Sequence, residues 1–307
     1  MDGIKVANAP VSWGVFEQTE GDPLALAPEV MLDQMAAAGY AGTELGPPGY
    51  FREAAWLREQ LAQRSLSLLG NFMPQRFSRA EHAADDRAEM IASLEYMLEA
   101  RPDDVMPLAI LADASVEPER MRWAGQIPDH PEAALPPDRF QLMIDNMHRA
   151  GEAAHEHGFD AVLHYHAASY VESEAEIRAV FDALDTSLVG MCLDTGHALF
   201  GGADPVQLLA DYGDIVRHIH IKDCDLAVLA EVGRSGGGMN EAWDRGVFCR
   251  LGHGTAGLET FLDAVRERGW TGWMVVEQDR FLKPSDTPEA LLALHTANRE
   301  WLREQGF

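Results

Sequence analysis

The sequence has few cysteines and no long apolar run. Its 307 residues include three cysteines, Cys192, Cys224 and Cys249. An odd number of widely spaced cysteines argues against a disulfide framework and a structural zinc site, and it predicts reduced thiols. No apolar run approaches the roughly 18 residues of a membrane span, and the first residues lack the pattern of a secretory signal. We therefore expect a cytoplasmic protein with no membrane partner.

Positive charge is also scarce. Lysine and arginine total 24 against 50 aspartates and glutamates, which gives a formal net charge of −26. Such a surface repels phosphate backbones, so we expect no nucleic-acid partner and disfavour an endonuclease. The excess of acid is interpreted as a device for solubility, with attraction of metal ions to a concave acidic site as the alternative. The 47% of hydrophobic residues are sufficient for a large core.

Strand-like and helix-like patterns alternate along the chain. Strands are predicted at 4–13, 41–47, 66–74, 105–113, 159–166, 188–194, 216–223 and 272–279, and each is followed by a helical pattern. Asp138 is the predicted N-cap of the helix after the fourth strand. Alternating strands and helices form parallel sheets with right-handed crossovers. Eight such units in one chain predict an α/β protein with a single (β/α)8 TIM barrel.

The barrel prediction covers residues 1–307 as one domain. Two segments, about 114–137 and about 224–257, are predicted to be loop insertions. The alternative fold is an open, doubly wound sheet. Its dinucleotide-binding form has a glycine-rich turn after the first strand, and the stretch VSWGVFE is not such a turn.

Ionisable residues concentrate at the ends of the later strands. Active sites of barrels lie at the C-terminal ends of the strands. Residues two apart on a strand share a face, so His164 lies with His166, and His218 lies with His220 and Lys222. Ile219 and Ile221 lie on the opposite face of this strand and suit packing against the surrounding helices. This alternation predicts that the face with the histidines and the lysine points into the barrel. Ionisable groups there are costly unless they are paired or bind a common metal ion.

Four of these residues come from consecutive strands and converge at the barrel mouth. They are His164, Asp194, His220 and Glu277, from strands five to eight. Imidazole and carboxylate together suit Mn²⁺, Co²⁺, Zn²⁺, Mg²⁺ or Fe²⁺. Any one alone is better explained as a helix cap or a satisfied core polar group; Asp194, for example, is placed to cap the next helix. Their convergence favours a metal site.

Three residues at the ends of earlier strands are candidates for substrate binding. Glu44 follows the second strand. Trp13 is equally well explained by barrel packing, and Asn71 by a turn. His218 lies deeper and is interpreted as a packed histidine, and Asp223 as the turn after strand seven.

At the strand ends the sequence resembles a known superfamily. The motifs are DTGH (Asp194–His197), HIKD (His220–Asp223) and MVVEQD, which contains Glu277. Together they resemble the xylose-isomerase-like TIM barrels, which include sugar isomerases, epimerases and dehydratases, over nearly the whole chain. The stretches GTELGP, VLHYHAASYVE and RGVFCRLGHG are most similar to inosose (2-keto-myo-inositol) dehydratases of inositol catabolism.

The resemblance implies a lyase of carbohydrate metabolism that removes water from a keto-cyclitol or keto-sugar through an enolate. The implied substrate is a small polyhydroxylated ketone. The implied cofactor is a divalent ion, with Mn²⁺ or Co²⁺ as the first choices. Related 3-dehydroshikimate dehydratases have His and Lys at the positions of His166 and Lys222. This implies His166 as the base, with His197 as the second candidate, and Lys222 beside the enolate oxygen. Glu44 would orient substrate hydroxyls.

Two departures keep alternatives open. Many epimerases of the superfamily have Glu at the first ligand position, where this chain has His164, and the stretch after Trp13 differs from the usual inosose dehydratase pattern. The alternatives are a metal-dependent keto-sugar epimerase or isomerase, an enzyme for β-elimination of a 3-keto-glycoside, and a sugar-binding barrel without catalysis. Homo-oligomerisation is left open.

Overall fold

The protein is described by a computed structural model that covers residues 3–114 and 117–307. Its strands are β1 (Ile4–Asn8), β2 (Gly42–Thr43), β3 (Ser67–Leu68), β4 (Gly70–Gln75), β5 (Leu108–Asp113), β6 (Ala161–His164), β7 (Val189–Asp194), β8 (Val216–Ile221), β9 (Asp223–Cys224), β10 (Phe248–Cys249) and β11 (Gly272–Val276). Nine of them form one parallel sheet in the order β3-β2-β1-β11-β8-β7-β6-β5-β4.

Leu69 joins the two ends of this sheet. It separates β3 from β4, and its N–H donates to the Thr43 carbonyl (3.0 Å) while its own carbonyl accepts from the Leu108 N–H (2.8 Å). Hydrogen bonds therefore continue across the seam, and β3 and β4 together fill one position of an eight-position barrel. The predicted TIM barrel is confirmed.

Helices surround the barrel. They are α1 (Pro28–Ala38), α2 (Ala54–Arg64), α3 (Ala83–Ala100), α4 (Pro118–Trp123), α5 (Pro137–Glu156), α6 (Glu174–Ala183), α7 (Thr195–Phe200), α8 (Pro205–Tyr212), α9 (Leu226–Arg234), α10 (Met239–Asp244), α11 (Leu258–Arg268) and α12 (Pro288–Glu304). Among the described helices, none is long and apolar enough to cross a membrane.

Two local predictions are wrong at the prolines. The first strand ends at Asn8 instead of residue 13, because Pro10 begins a 3-10 turn that ends at Trp13. The helix expected to start after an Asp138 cap begins at Pro137 and has no side-chain cap, so Asp138 lies in its first turn. Proline is favourable at the first helical position because that residue's N–H would have no helical partner.

Both segments predicted as loops contain regular structure. The first contains α4 and two 3-10 turns, and the second contains α9, α10 and the antiparallel pair β9–β10. Asp225 caps α9 by accepting from the Ala227 and Val228 N–H groups. Trp243 and Phe248 belong to a separate apolar cluster that holds this second segment in place. The assignment of residues 1–307 to one domain stays a prediction.

The predicted alternation of faces is present. Leu163, Ile219 and Ile221 belong to the main apolar core shared with the helices. His164 and His220 lie on the other face, where their ring centroids are 4.8 Å apart inside the barrel. The strand pattern thus delivers imidazoles to the barrel interior.

Candidate active site

Four buried side chains meet at the C-terminal end of the barrel. His164 ends β6, Asp194 ends β7, His220 lies in β8 and Glu277 directly follows β11. One possible ligand atom from each lies within 4.8 Å of all the others. The structure therefore brings together the four residues that the sequence predicts as one set. Their role as metal ligands stays a prediction.

The His220 ring is oriented by Glu44. Its Nε2 lies 2.9 Å from Glu44 Oε1. Its Nδ1 lies 3.0 Å from Glu277 Oε2 and 3.7 Å from Asp194 Oδ2, but it is buried and makes no hydrogen bond. Burial would lower the pKa of His220, but Cys192, Glu277 and Glu44 outweigh it and raise this pKa well above its usual value, so positive charge is favoured where Nδ1 faces two carboxylates. A proton or a metal ion at Nδ1 would supply that charge. The donor set therefore fits a divalent ion.

Glu44 contacts a second histidine. Its Oε1 also accepts from His218 Nε2 at 2.7 Å. Burial alone would raise the pKa of Glu44, but His220 and His218 together outweigh burial and lower it to about 2. Glu44 is thus a carboxylate that positions two imidazoles, and it also lines the cavity described below.

His164 is suited to bind a cation in its neutral form. Burial is the main cause that lowers its pKa to about 4, against the opposing contact of its Nε2 with Asp194 Oδ2 at 3.3 Å. At neutral pH the ring is uncharged and has a free lone pair, which is the form that metals bind.

Lys222 lies among carboxylates. Its Nζ is 2.7 Å from Asp279 Oδ1, 3.0 Å from Glu277 Oε2 and 3.3 Å from Asp194 Oδ2. Burial would lower the pKa of this amine, yet the three carboxylates together raise it above its ordinary value. Lys222 is therefore an ammonium ion beside the cluster of four, which comprises His164, Asp194, His220 and Glu277.

Asp279 joins Lys222 to His197, and sequence reasoning did not assign it a role. Its Oδ2 lies 3.3 Å from His197 Nε2, while the Ala167 N–H donates to His197 Nδ1 at 3.2 Å. Burial raises the pKa of Asp279, but Lys222 and His197 outweigh it and lower the pKa below the ordinary range. The signal was available, because Glu277 and Asp279 are two apart at a strand end and share a face.

His166 lies just beyond the end of β6 and is half-buried. Its Nδ1 is 2.8 Å from the Ala167 carbonyl oxygen, and its ring centroid is 3.9 Å from that of His197. With Nδ1–H donating to the carbonyl, Nε2 is the basic nitrogen. Burial first, then His197 and His164, lower the pKa of His166 well below its usual value. It is therefore a neutral imidazole.

A cavity of about 340 Å³, the reaction cavity, joins these groups. Its lining includes Glu44, Asn71, His164, His166, Lys222, Glu277 and Asp279. Asn71 donates from Nδ2 to Ser93 Oγ at 2.8 Å. His166 and Lys222 line the same space as His164 and Glu277, whereas Asp194 and His220 lie behind this lining.

Trp13 does not lie where a substrate wall was predicted. Its side chain has no exposed surface, its indole N–H donates to Asn8 Oδ1 at 3.1 Å, and its ring packs 4.1 Å from that of His295. It is a core residue outside the cavity lining, while Phe16 and Trp243 line the cavity. The 3-10 turn that begins at Pro10 carries Trp13 away from the mouth.

Asp223 holds a loop. Its carboxylate accepts from the backbone N–H groups of Cys224, Gly252, Gly254 and Ala256. A buried carboxylate with four such donors serves the backbone and not a substrate, in line with its interpretation as a turn residue.

The chain belongs to the xylose isomerase-like TIM barrel family, whose model matches residues 32–305. An inosose dehydratase of Geobacillus kaustophilus (strain HTA426) is 28% identical over 277 residues, which cover 90% of this chain and 88% of that protein. Inosose dehydratases are therefore among the relatives to which this chain is similar.

Solved structures share the fold. A zinc-bound structure of the IOLI protein matches with a TM-score of 0.71 and 15% identity, over 99% of both chains. A probable 3-DHS dehydratase, AsbF of Bacillus anthracis, matches with a TM-score of 0.71 and 13% identity, over 97% of this chain and 98% of that one. An L-ribulose 3-epimerase matches with a TM-score of 0.66 and 13% identity, over 98% and 94%. At these identities the likeness concerns the fold.

Proposed function

We propose that the protein is a divalent-metal-dependent dehydratase that removes water from a keto-cyclitol or keto-sugar, with 2-keto-myo-inositol as the first candidate. The observation that carries the proposal is the convergence of His164, Asp194, His220 and Glu277 next to His166 and Lys222. The similarity to inosose dehydratases supports loss of water as the reaction.

His164, Asp194, His220 and Glu277 would hold the ion, which supplies Lewis-acid stabilisation of the developing enolate when bound. His220 Nε2–H donates to Glu44, and this contact turns His220 Nδ1 toward the other three residues of the cluster. Mixed nitrogen and oxygen donors suit several divalent ions; we propose Mn²⁺ or Co²⁺ first, with Mg²⁺, Zn²⁺ and Fe²⁺ as alternatives.

His166 would take the α-proton at Nε2, since it is neutral and lines the cavity. Lys222 remains an ammonium ion beside the enolate oxygen, where its charge stabilises the anion, or it donates a proton to the departing hydroxide. Asp279 fixes both Lys222 and His197. His197 remains the second candidate for the base.

The test uses metal-free protein reloaded with each of the five ions and incubated with 2-keto-myo-inositol. We expect the ultraviolet absorbance of the α-diketone product in its conjugated enol form to appear with at least one ion and to vanish on chelation. Exchange of the α-proton with D₂O without loss of water would instead establish an epimerase or isomerase. Binding of metal or sugar with no turnover would establish a sugar-binding barrel. A cytoplasmic location stays a prediction from the sequence.

A further inference from the structure

A second cavity opens beside the reaction cavity. This side chamber has a volume of about 620 Å³ and lies against α3 and the segment after β2. The two cavities share the wall formed by Leu45, Pro47, Asn71 and Phe72. The two cavities therefore lie side by side along this wall.

The side chamber lies across the barrel from the cluster of four. Its strand residues come from β4 and from just after β2, whereas the cluster comes from β6, β7, β8 and β11. The sheet order separates β2 and β4 from β7 and β8. A ring whose ketone faces the cluster would therefore direct its far substituent toward the side chamber.

The chemistry of the side chamber is apolar and neutral to acidic. Phe51, Met73 and Met90 form a buried floor. Glu17 and Glu89 lie in the lining with exposed side chains, and none of the lining residues that the structure describes is lysine, arginine or histidine. A phosphate or carboxylate substituent would have no cationic partner there, whereas an apolar group would be removed from water.

Size points the same way. Ligand pockets generally measure about 300–1,000 Å³, so the reaction cavity alone suits a small ring. The side chamber is larger than the reaction cavity, at about 620 Å³ against about 340 Å³. A bare cyclitol leaves this space unused.

We propose that the side chamber binds an apolar substituent of about phenyl size on the substrate ring. The substrate class then includes ketones of glycosides and of cyclitol ethers, and it excludes sugar phosphates. This inference rests on the proposed function only in placing the ring at the cluster of four.

The test measures binding of methyl and benzyl β-D-glucopyranoside to Mn²⁺-loaded protein by isothermal titration calorimetry. Neither compound has a ketone, so binding is measured without turnover. We expect the benzyl glucoside to have a Kd about tenfold lower or more, because its ring is buried against apolar side chains. Glucose 1-phosphate should bind no more tightly than the methyl glucoside. Equal Kd values for the two glucosides, or binding of neither, would overturn the proposal.

Two matched variants locate the effect. Ala92 of α3 lies in the lining of the side chamber, whereas Ala88 is exposed on the same helix and lies outside the lining. Ala92→Phe should remove most of the preference for the benzyl compound, and Ala88→Phe should keep it. An unchanged preference in Ala92→Phe would also overturn the proposal.

Turnover of 2-keto-myo-inositol, measured separately, distinguishes this inference from the proposed function. A benzyl preference without dehydration contradicts the proposed function alone. Dehydration without a benzyl preference contradicts the side-chamber inference alone.

Discussion

At the scale of single residues, His220 lies between Glu44 on one side of its ring and two further carboxylates on the other. Its Nε2 faces Glu44, so its unpartnered Nδ1 faces the carboxylates of Asp194 and Glu277. Residues behind a metal ligand fix its tautomer and its direction.

Glu44→Gln should weaken Mn²⁺ binding about 10- to 100-fold, because the neutral amide oxygen is a weaker acceptor for His218 and His220 than the charged carboxylate and orients the His220 ring less firmly. Calorimetric titration of metal-free protein measures the affinity. Glu17→Gln, at an exposed residue of the cavity lining, is the control and should bind Mn²⁺ normally. Normal affinity in Glu44→Gln would contradict the positioning role.

His166→Ala should lower kcat about 10²- to 10⁴-fold and leave Mn²⁺ affinity unchanged, since His166 is our proposed base and is not among the proposed ligands. Burial lowers the pKa of His166 below its usual 6.5. The wild-type kcat/KM should therefore stay level as pH falls through 6.5 and decline only at more acidic pH. Steady-state kinetics over a pH series measures both effects. Near-normal turnover of the variant would exclude His166 as the base.

At the scale of elements, the strand pattern was more informative than the connections. Alternation in β6 and β8 predicts which face carries His164 and His220, because the period of a strand is local. The position of Trp13 depends on contacts with Asn8 and with His295 near the other end of the chain, and no local pattern contains such contacts. The short helices after residue 224 depend equally on a cluster assembled from distant parts of the chain.

Asp223→Asn should destabilise the protein by about 1–3 kcal/mol, because an amide NH₂ group would face backbone N–H groups that now donate to a carboxylate. Thermal unfolding measures the loss, and limited proteolysis should show earlier cleavage at residues 250–256. Glu259→Gln, on the exposed side of α11, should unfold like the wild type. Unchanged stability and cleavage in Asp223→Asn would show that this loop is held by other contacts.

At the scale of the whole molecule, closure of the barrel brings residues from the two ends of the chain into contact. His295 of α12 has no exposed surface, and its Nε2–H donates to the Ser12 carbonyl oxygen at 3.0 Å. Burial is the main cause that lowers the pKa of His295 to about 3. The unfolded chain therefore takes up this proton before the folded protein does.

The stability that depends on neutral His295 is fully present above pH 6.5 and is lost as pH falls from 6.5 toward about 3. His295→Gln should reduce the dependence of the unfolding free energy on pH in this window by up to about 1.4 kcal/mol per pH unit. Urea unfolding at pH 4 to 7 measures the slope. His253→Gln, at an exposed residue, should keep the wild-type slope. If His295→Gln has the same pH dependence of the unfolding free energy as the wild type, His295 is not the group responsible for it.

The side chamber and the candidate metal ligands come from different parts of the chain. The proposed base and the candidate metal ligands come from residues 161–279, while the side chamber beyond the shared wall is lined mainly by residues 45–96. Glu44 links the two parts through His220. Exchange of the earlier segment between family members would therefore change which substituents fit while the reacting groups stay in place. A barrel arranged in this way can acquire new substrates by recombination without rebuilding its chemistry.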